Sequence, residues 1–152
     1  MSYECEIKPF PAQRALVIRR RTAVQNLPQV LGEGYGRIMA YLHDLGETPA
    51  GPPFIAYYNQ DMENLDLELG FPAAKELPGI EDIRATEIPA FHAGTCVHTG
   101  PYSALAPAYG ALMGWMQSGG YEMTGVAYEV YLNDPDGTPQ DKLQTRIILP
   151  LK

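Results

Sequence analysis

Glu129 stands alone as a charge in the run Val126-Ala127-Tyr128-Glu129-Val130-Tyr131-Leu132, which is otherwise apolar and aromatic. A carboxylate in such a run is costly to bury without a partner. Two readings stay open. Glu129 is a solvated residue of a half-exposed strand, or it is an anion at the base of a hydrophobic site. In the second case burial would raise its pKa, and surrounding rings would favour a cationic ligand over a neutral one. Tyr131, two residues on, shares its strand face.

The aromatic residues are the next group with chemistry to offer. Ten Tyr against four Phe is a bias toward rings that also carry a hydroxyl. Tyr57, Tyr131, Tyr35, Tyr109, Tyr41 and Trp115 fall in matched positions of an internal repeat described below. Taken singly each is a core residue. Taken as a set around Glu129 they would suit a flat, lipophilic ligand. Met39, Met113 and Met116 could add adaptable walls to such a site, or be plain core.

Other chemistries find little support. His43, His92 and His98 lack a second ligand at zinc spacing, so no metal is expected. His98 precedes a Gly-Pro turn, which it could hydrogen-bond. Cys5 and Cys96 are no disulfide framework; Cys96 reads as a buried strand residue and Cys5 as a terminal one. There is no nucleophile-elbow motif and no phosphate loop, and no cofactor is expected. The chain has 152 residues, one domain's worth, 45% hydrophobic and 19% charged, so it can bury a core. A net charge of -7 argues against nucleic acid. No Lys or Arg occurs between Arg84 and Lys142, a surface of solvated acids or a region that prefers cations. Arg19-Arg20-Arg21 is the one basic cluster and reads as a solvated strand end, or the edge of a protein contact. No membrane span and no signal peptide are expected, and the protein is expected to be cytoplasmic.

The residues that must position Glu129 come in duplicate. YGRIMAYLHDLG at 35–46 matches YGALMGWMQSGG at 109–120, an offset of 74 (109 − 35). The same offset carries Gly51 to Gly125, Tyr57 to Tyr131 and Asn59 to Asn133, and would carry Ile55 to Glu129. Pro11-Ala12 matches Pro89-Ala90 at an offset of 78. The expected division is residues 1–78 and 79–152.

Each half reads strand, helix, strand, strand. Ala15–Ile18 and Gly94–Val97 are the first strands. Leu27, Leu31, Tyr35, Ile38, Leu42 and Leu45 form one helical stripe, with Asn26 as N-cap and Gly46 as the stop. Leu105, Tyr109, Leu112 and Met116 form the second, with Pro107 in its first turn and Gly119-Gly120 at its end. Strands over 54–58 and 126–132 follow. Residues 65–69 and 143–149 close each half, and 73–82 link the halves. The fold class is α+β: two βαββ units related by a pseudo-twofold axis, with an antiparallel sheet and two helices.

HTGPYSAL at 98–105 and YEVYLNDP at 128–135, with GPPFIAYYN at 51–59 and LELGFP at 67–72, resemble the GyrI-like small-molecule-binding domains. The same module serves as effector-binding domain in AraC-type and MerR-type regulators. The resemblance implies a ligand cleft between the halves and assigns Glu129 as the acid that faces lipophilic cations. With no room for a helix-turn-helix, this chain resembles the stand-alone members and is expected not to bind DNA itself. The SOUL-like haem proteins share the architecture, but no His or Cys here suggests an axial ligand. The leading expectation is a binder of hydrophobic, cationic or aromatic small molecules. The alternative is a hydrolase of strained electrophilic rings, using Glu129 with Tyr131 or Tyr109. A third is a protein-interaction module of the topoisomerase-inhibiting kind.

Overall fold

A computed structural model describes residues 3–152. The strands are β1 (Glu6–Phe10), β2 (Gln13–Thr22), β3 (Phe54–Tyr57), β4 (Leu65–Pro72), β5 (Ile83–Ile88), β6 (Phe91–Thr99), β7 (Ala127–Tyr131) and β8 (Gln144–Pro150). The helices are α1 (Leu27–Asp44) and α2 (Ala106–Ser118). The chain forms two compact units: Pro11–Ala90, and Phe91–Lys152 together with the chain up to Phe10.

Within Pro11–Ala90 the strand order is β3-β4-β2-β5, every pairing antiparallel. Within the other unit it is β7-β8-β6-β1, again antiparallel. The registers repeat. Ile18 pairs with Leu69 and Leu69 with Ile55; Cys96 pairs with Ile147 and Ile147 with Glu129. These are the same positions shifted by 78, 78 and 74 residues. The helices repeat as well. Gly34, Ile38 and Leu42 are the buried stripe of α1, and Ala108, Leu112 and Met116, each 74 later, are that of α2. Both helices stop at a left-handed glycine, Gly46 at φ 70° and Gly120 at φ 78°.

Small residues let each helix approach its sheet. A Cβ on Gly34 would come within 2.6 Å of Leu69 Cδ1, and one on Gly94 would run into Met116. The core of the Phe91–Lys152 unit is therefore a row of Cys96, Ile147 and Leu149 on the sheet against Ala108, Leu112 and Met116 on the helix.

The expected α+β class holds, with both helices and all six inner strands in place. The division at residue 78 differs from the observed units. The strand preceding each repeat pairs with the first strand of the other: Phe10 with Phe91, and Ile88 with Gln13. Neither β1 nor β5 was foreseen, because edge strands bury little and show no clear hydrophobic period. Lys8 and Pro9 in β1, and Arg84 and Glu87 in β5, are residues that discourage further pairing. Asn26 occupies the N-cap of α1 without a side-chain cap bond, since the 3-10 turn Val24–Asn26 already leads into the helix and holds it in the αR conformation.

Candidate functional site

Glu129 sits at the centre of β7 with its side chain on the face that α2 covers. Its strand neighbour across the ladder is Ile147, on the same face as Cys96. It is only 7% exposed. Alternation does this: β7 is five residues long, and a period of two sends Glu129 inward between Tyr128 and Val130. The solvated reading of Glu129 is thereby excluded.

Two tyrosines hold the carboxylate. Tyr109, on the first turn and a half of α2, donates its hydroxyl to Oε2. Tyr131 donates to Oε1 at 2.9 Å. Each oxygen thus has one phenol. Tyr102, from the 3-10 turn Tyr102–Ala104, brings its ring to 5.3 Å from that of Tyr131 at an angle of 58°. Among the described residues Glu129 forms no ion pair. Burial pushes its pKa above the ordinary carboxyl value, and the hydroxyls of Tyr109 and Tyr131 partly offset the rise. The Tyr102 phenol is also pushed up, first by burial and then by the negative charges of Asp134 and Glu129.

His98 anchors the turn that carries Tyr102. It is buried, its Nε2–H donates to the Pro101 carbonyl at 3.3 Å, and its Nδ1 shares a hydrogen bond with the Tyr3 hydroxyl at 3.2 Å. A carbonyl can only accept, so Nε2 carries a hydrogen in this pairing. The expectation that His98 serves the Gly-Pro turn is met. Among the described residues no group of three or more His, Cys, Asp or Glu could hold a metal.

The other aromatic candidates have different contacts. Tyr35 donates to the Phe54 carbonyl at 2.6 Å and meets the ring of Phe71 edge-on at 5.4 Å. Tyr41 donates to the Pro78 carbonyl at 2.7 Å. Tyr57 ends β3, half-buried, opposite Leu67. Trp115 is 40% exposed and stacks on Tyr121 at 6.1 Å and 22°. Of the expected set, Tyr109 and Tyr131 bring their hydroxyls to Glu129. Tyr102 was missed, although it lies in the HTGPYSAL segment; the cue was the conjunction of that turn with a helix start. The Arg19-Arg20-Arg21 cluster is neutralised: Arg19 clasps Asp66 through two bonds of 2.6 and 2.8 Å, Arg21 reaches the same acid, and Arg20 shares Asp82 with Arg37. Both guanidinium groups hold Asp82 well below the usual carboxylate range. A hollow of about 280 Å³ in the Pro11–Ala90 unit is lined by Arg14, Leu16, Lys75, Leu77 and Glu87, residues apart from the Glu129 cluster.

The model of the GyrI-like small molecule binding domain matches this chain over residues 3–152. The chain belongs to that family. No curated protein matches it. Among solved structures it is similar to EcmrR, seen in a complex with DNA, with a TM-score of 0.87 at 24% identity. It spans 99% of itself and 57% of that chain, so it covers little more than half of EcmrR. The crystal structure of the EcmrR C-terminal domain alone aligns over 100% of this chain and 99% of that one, with a TM-score of 0.83 at 21% identity. A hydrolase from Listeria innocua aligns over 98% and 92%, at 0.70 and 15%. SAV2435 bound to tetraphenylphosphonium aligns over 100% and 94%, at 0.66 and 11%. At these identities the likeness is one of fold. Among the described residues no helix is long and apolar enough to cross a membrane.

Proposed function

We propose that this GyrI-like domain binds hydrophobic aromatic cations, with Glu129 as counter-ion and Tyr102, Tyr109 and Tyr131 as the inner wall. The observation that carries this is a carboxylate 7% exposed, held by two phenols and by no cation among the described residues. Such a group is costly to ionise alone, and a ligand cation would complete it. Phenol faces add attraction for a cation of the same order as one hydrogen bond. Trp115, in the same unit, belongs to the proposal as an outer aromatic contact, to be weighed by the same titrations. That SAV2435, of a similar fold, is bound to tetraphenylphosphonium in its structure supports the choice of probe.

The test is titration of tetraphenylphosphonium and of neutral triphenylphosphine oxide against the native chain and Glu129→Gln. The variant keeps the shape and removes the charge, turning one of the two acceptor oxygens into an amide donor. Cation affinity should fall by about 2–4 kcal/mol, roughly 30- to 1,000-fold, with little change for the neutral compound. Binding should also tighten as pH rises through the elevated Glu129 pKa, because the ligand selects the ionised form. Equal loss for both compounds would overturn the charge reading.

A second reading uses the same cluster as a hydrolase of strained electrophilic rings. It rests on the pairing of a buried acid of raised pKa with two phenol donors, which suits proton transfer to and from water. Glu129→Gln would then abolish turnover of such a substrate while leaving its affinity nearly intact.

A further inference from the structure

Cys5 and Cys96 lie 91 residues apart in sequence and meet in space. The β1–β6 ladder pairs Glu6 with Thr95 and Ile7 with Gly94. Carried one residue outward, this antiparallel register sets Cys5 opposite Cys96, with both side chains on the face that α2 covers. Both pack in the same cluster, Cys96 at its centre and Cys5 at its margin. Each thiol influences the other's pKa, and the Cys5 thiol donates to the Tyr3 carbonyl at 3.8 Å. Residues opposed across an antiparallel pair have Cα atoms about 4.5–5.5 Å apart, within the range a disulfide spans without moving the backbone.

We propose that Cys5 and Cys96 are a two-electron redox site, closed to a disulfide by a peroxide-class oxidant. The Cys5 thiolate, the more exposed of the two, attacks one peroxide oxygen. The O–O bond breaks, hydroxide leaves, and Cys5 becomes a sulfenic acid. The Cys96 thiolate then attacks the Cys5 sulfur, the S–O bond breaks, and a second hydroxide leaves. The two protons given up by the thiols convert both hydroxides to water, so two thiols are oxidised and one peroxide is reduced. The product fastens the segment bearing Tyr3 to β6, beside the Tyr3–His98 contact that steadies the Tyr102 turn. The inference is independent of the reading of Glu129.

The geometry also sets the rate. Both thiols are pushed above their ordinary value by burial, Cys96 to about 11. The charged and titratable groups nearby are Arg146, which opposes the rise at Cys96, with Tyr3 and His98 in the adjoining row. Thiolate is therefore scarce near neutral pH, which makes the pair a slow latch rather than a fast peroxide sensor.

The experiment treats the full chain with hydrogen peroxide and follows intact mass, thiol titre and melting temperature. The expected product is a monomer two hydrogens lighter, with no titratable thiol. Its Tm should be higher by on the order of 10 °C, since the bond closes a long loop, and dithiothreitol should reverse the change. The closure rate should rise roughly tenfold per pH unit from 7 to 8. Cys5→Ser lies at the margin of the core and should fold normally; it and Cys96→Ala should both show no Tm rise. Two titratable thiols after prolonged exposure, stepwise addition of oxygen to one cysteine, or disulfide-linked dimers would each overturn the proposal.

Discussion

The two repeats place equivalent tyrosines over different strand residues. Tyr109 and Tyr131 in one unit correspond to Tyr35 and Tyr57 in the other, each at an offset of 74. Between the first pair lies Glu129; at the corresponding position of the second lies Ile55, fully buried opposite Leu69. Where the strand offers a carboxylate, the helix tyrosine donates to it. Where the strand offers a hydrocarbon, the helix tyrosine donates to the Phe54 carbonyl instead. The frame and its phenols are common property; the acid is what sets one copy apart.

The Pro11–Ala90 unit has a buried acid too, and it is handled differently. Glu68 is also 7% exposed, but Arg84 pairs with it at 3.3 Å and Tyr58 donates at 3.1 Å. Arg19 lies over the Tyr58 ring at 4.3 Å. That cluster is closed upon its own cations. Glu129, in the stretch of sequence without Lys or Arg, has no such neighbour among the described residues. Neutralisation within the chain is the difference between the two acids, and it is the difference on which the proposed ligand-binding role of Glu129 rests.

The largest expected effect comes from forcing the repeats to match. Ile55→Glu places a second acid below Tyr35 and Tyr57, and should cost about 3–5 kcal/mol of stability at pH 8, measured by urea unfolding. The loss should shrink at pH 4, where the new acid is protonated. If stability is unchanged at pH 8, the first repeat was already able to hold an acid and the contrast fails.

Tyr109→Phe keeps the ring and removes one donor from the carboxylate. It should cost about 1.5–3 kcal/mol at neutral pH and raise the Glu129 pKa further, as read by carboxyl carbon NMR. An unmoved titration would mean that the hydroxyl does not stabilise the anion.

Glu129→Gln should gain on the native chain with pH. A carboxyl whose folded pKa is raised contributes fully below its unfolded value and loses that contribution as pH rises through the folded one. The variant should draw ahead of the native chain as pH rises from 4 to 8. Parallel pH–stability curves would contradict the raised pKa.

Two smaller effects complete the contrast. Arg84→Ala removes the partner of Glu68, but the Arg84 side chain is 61% exposed, so the expected cost is at most about 1 kcal/mol. Trp115→Ala unstacks an exposed pair and should lower stability by about 0.5–1.5 kcal/mol. If tetraphenylphosphonium affinity falls with it, the outer aromatic set reaches as far as the far turn of α2.

Much of this was legible in the chain itself. Matched offsets of 74 and 78 specify two copies of one unit, because a repeated hydrophobic pattern must bury the same faces. The helical stripes, the stopping glycines and the inner strands follow from local periodicity. So does the oddness of Glu129, since an acid amid apolar and aromatic neighbours is legible without coordinates. Tertiary structure alone decided the rest. Strand partners are chosen by long-range pairing, so nothing local tells that β1 joins β6, that β5 joins β2, or that Cys5 meets Cys96. Which aromatics reach Glu129 depends on the angle at which α2 crosses the sheet. Tyr109 faces the acid, while Trp115, six residues later, is turned about 120° around the helix and meets Tyr121 instead. The charge of the acid is likewise a tertiary quantity, set by how much water is removed and by which hydroxyls and cations the fold brings near.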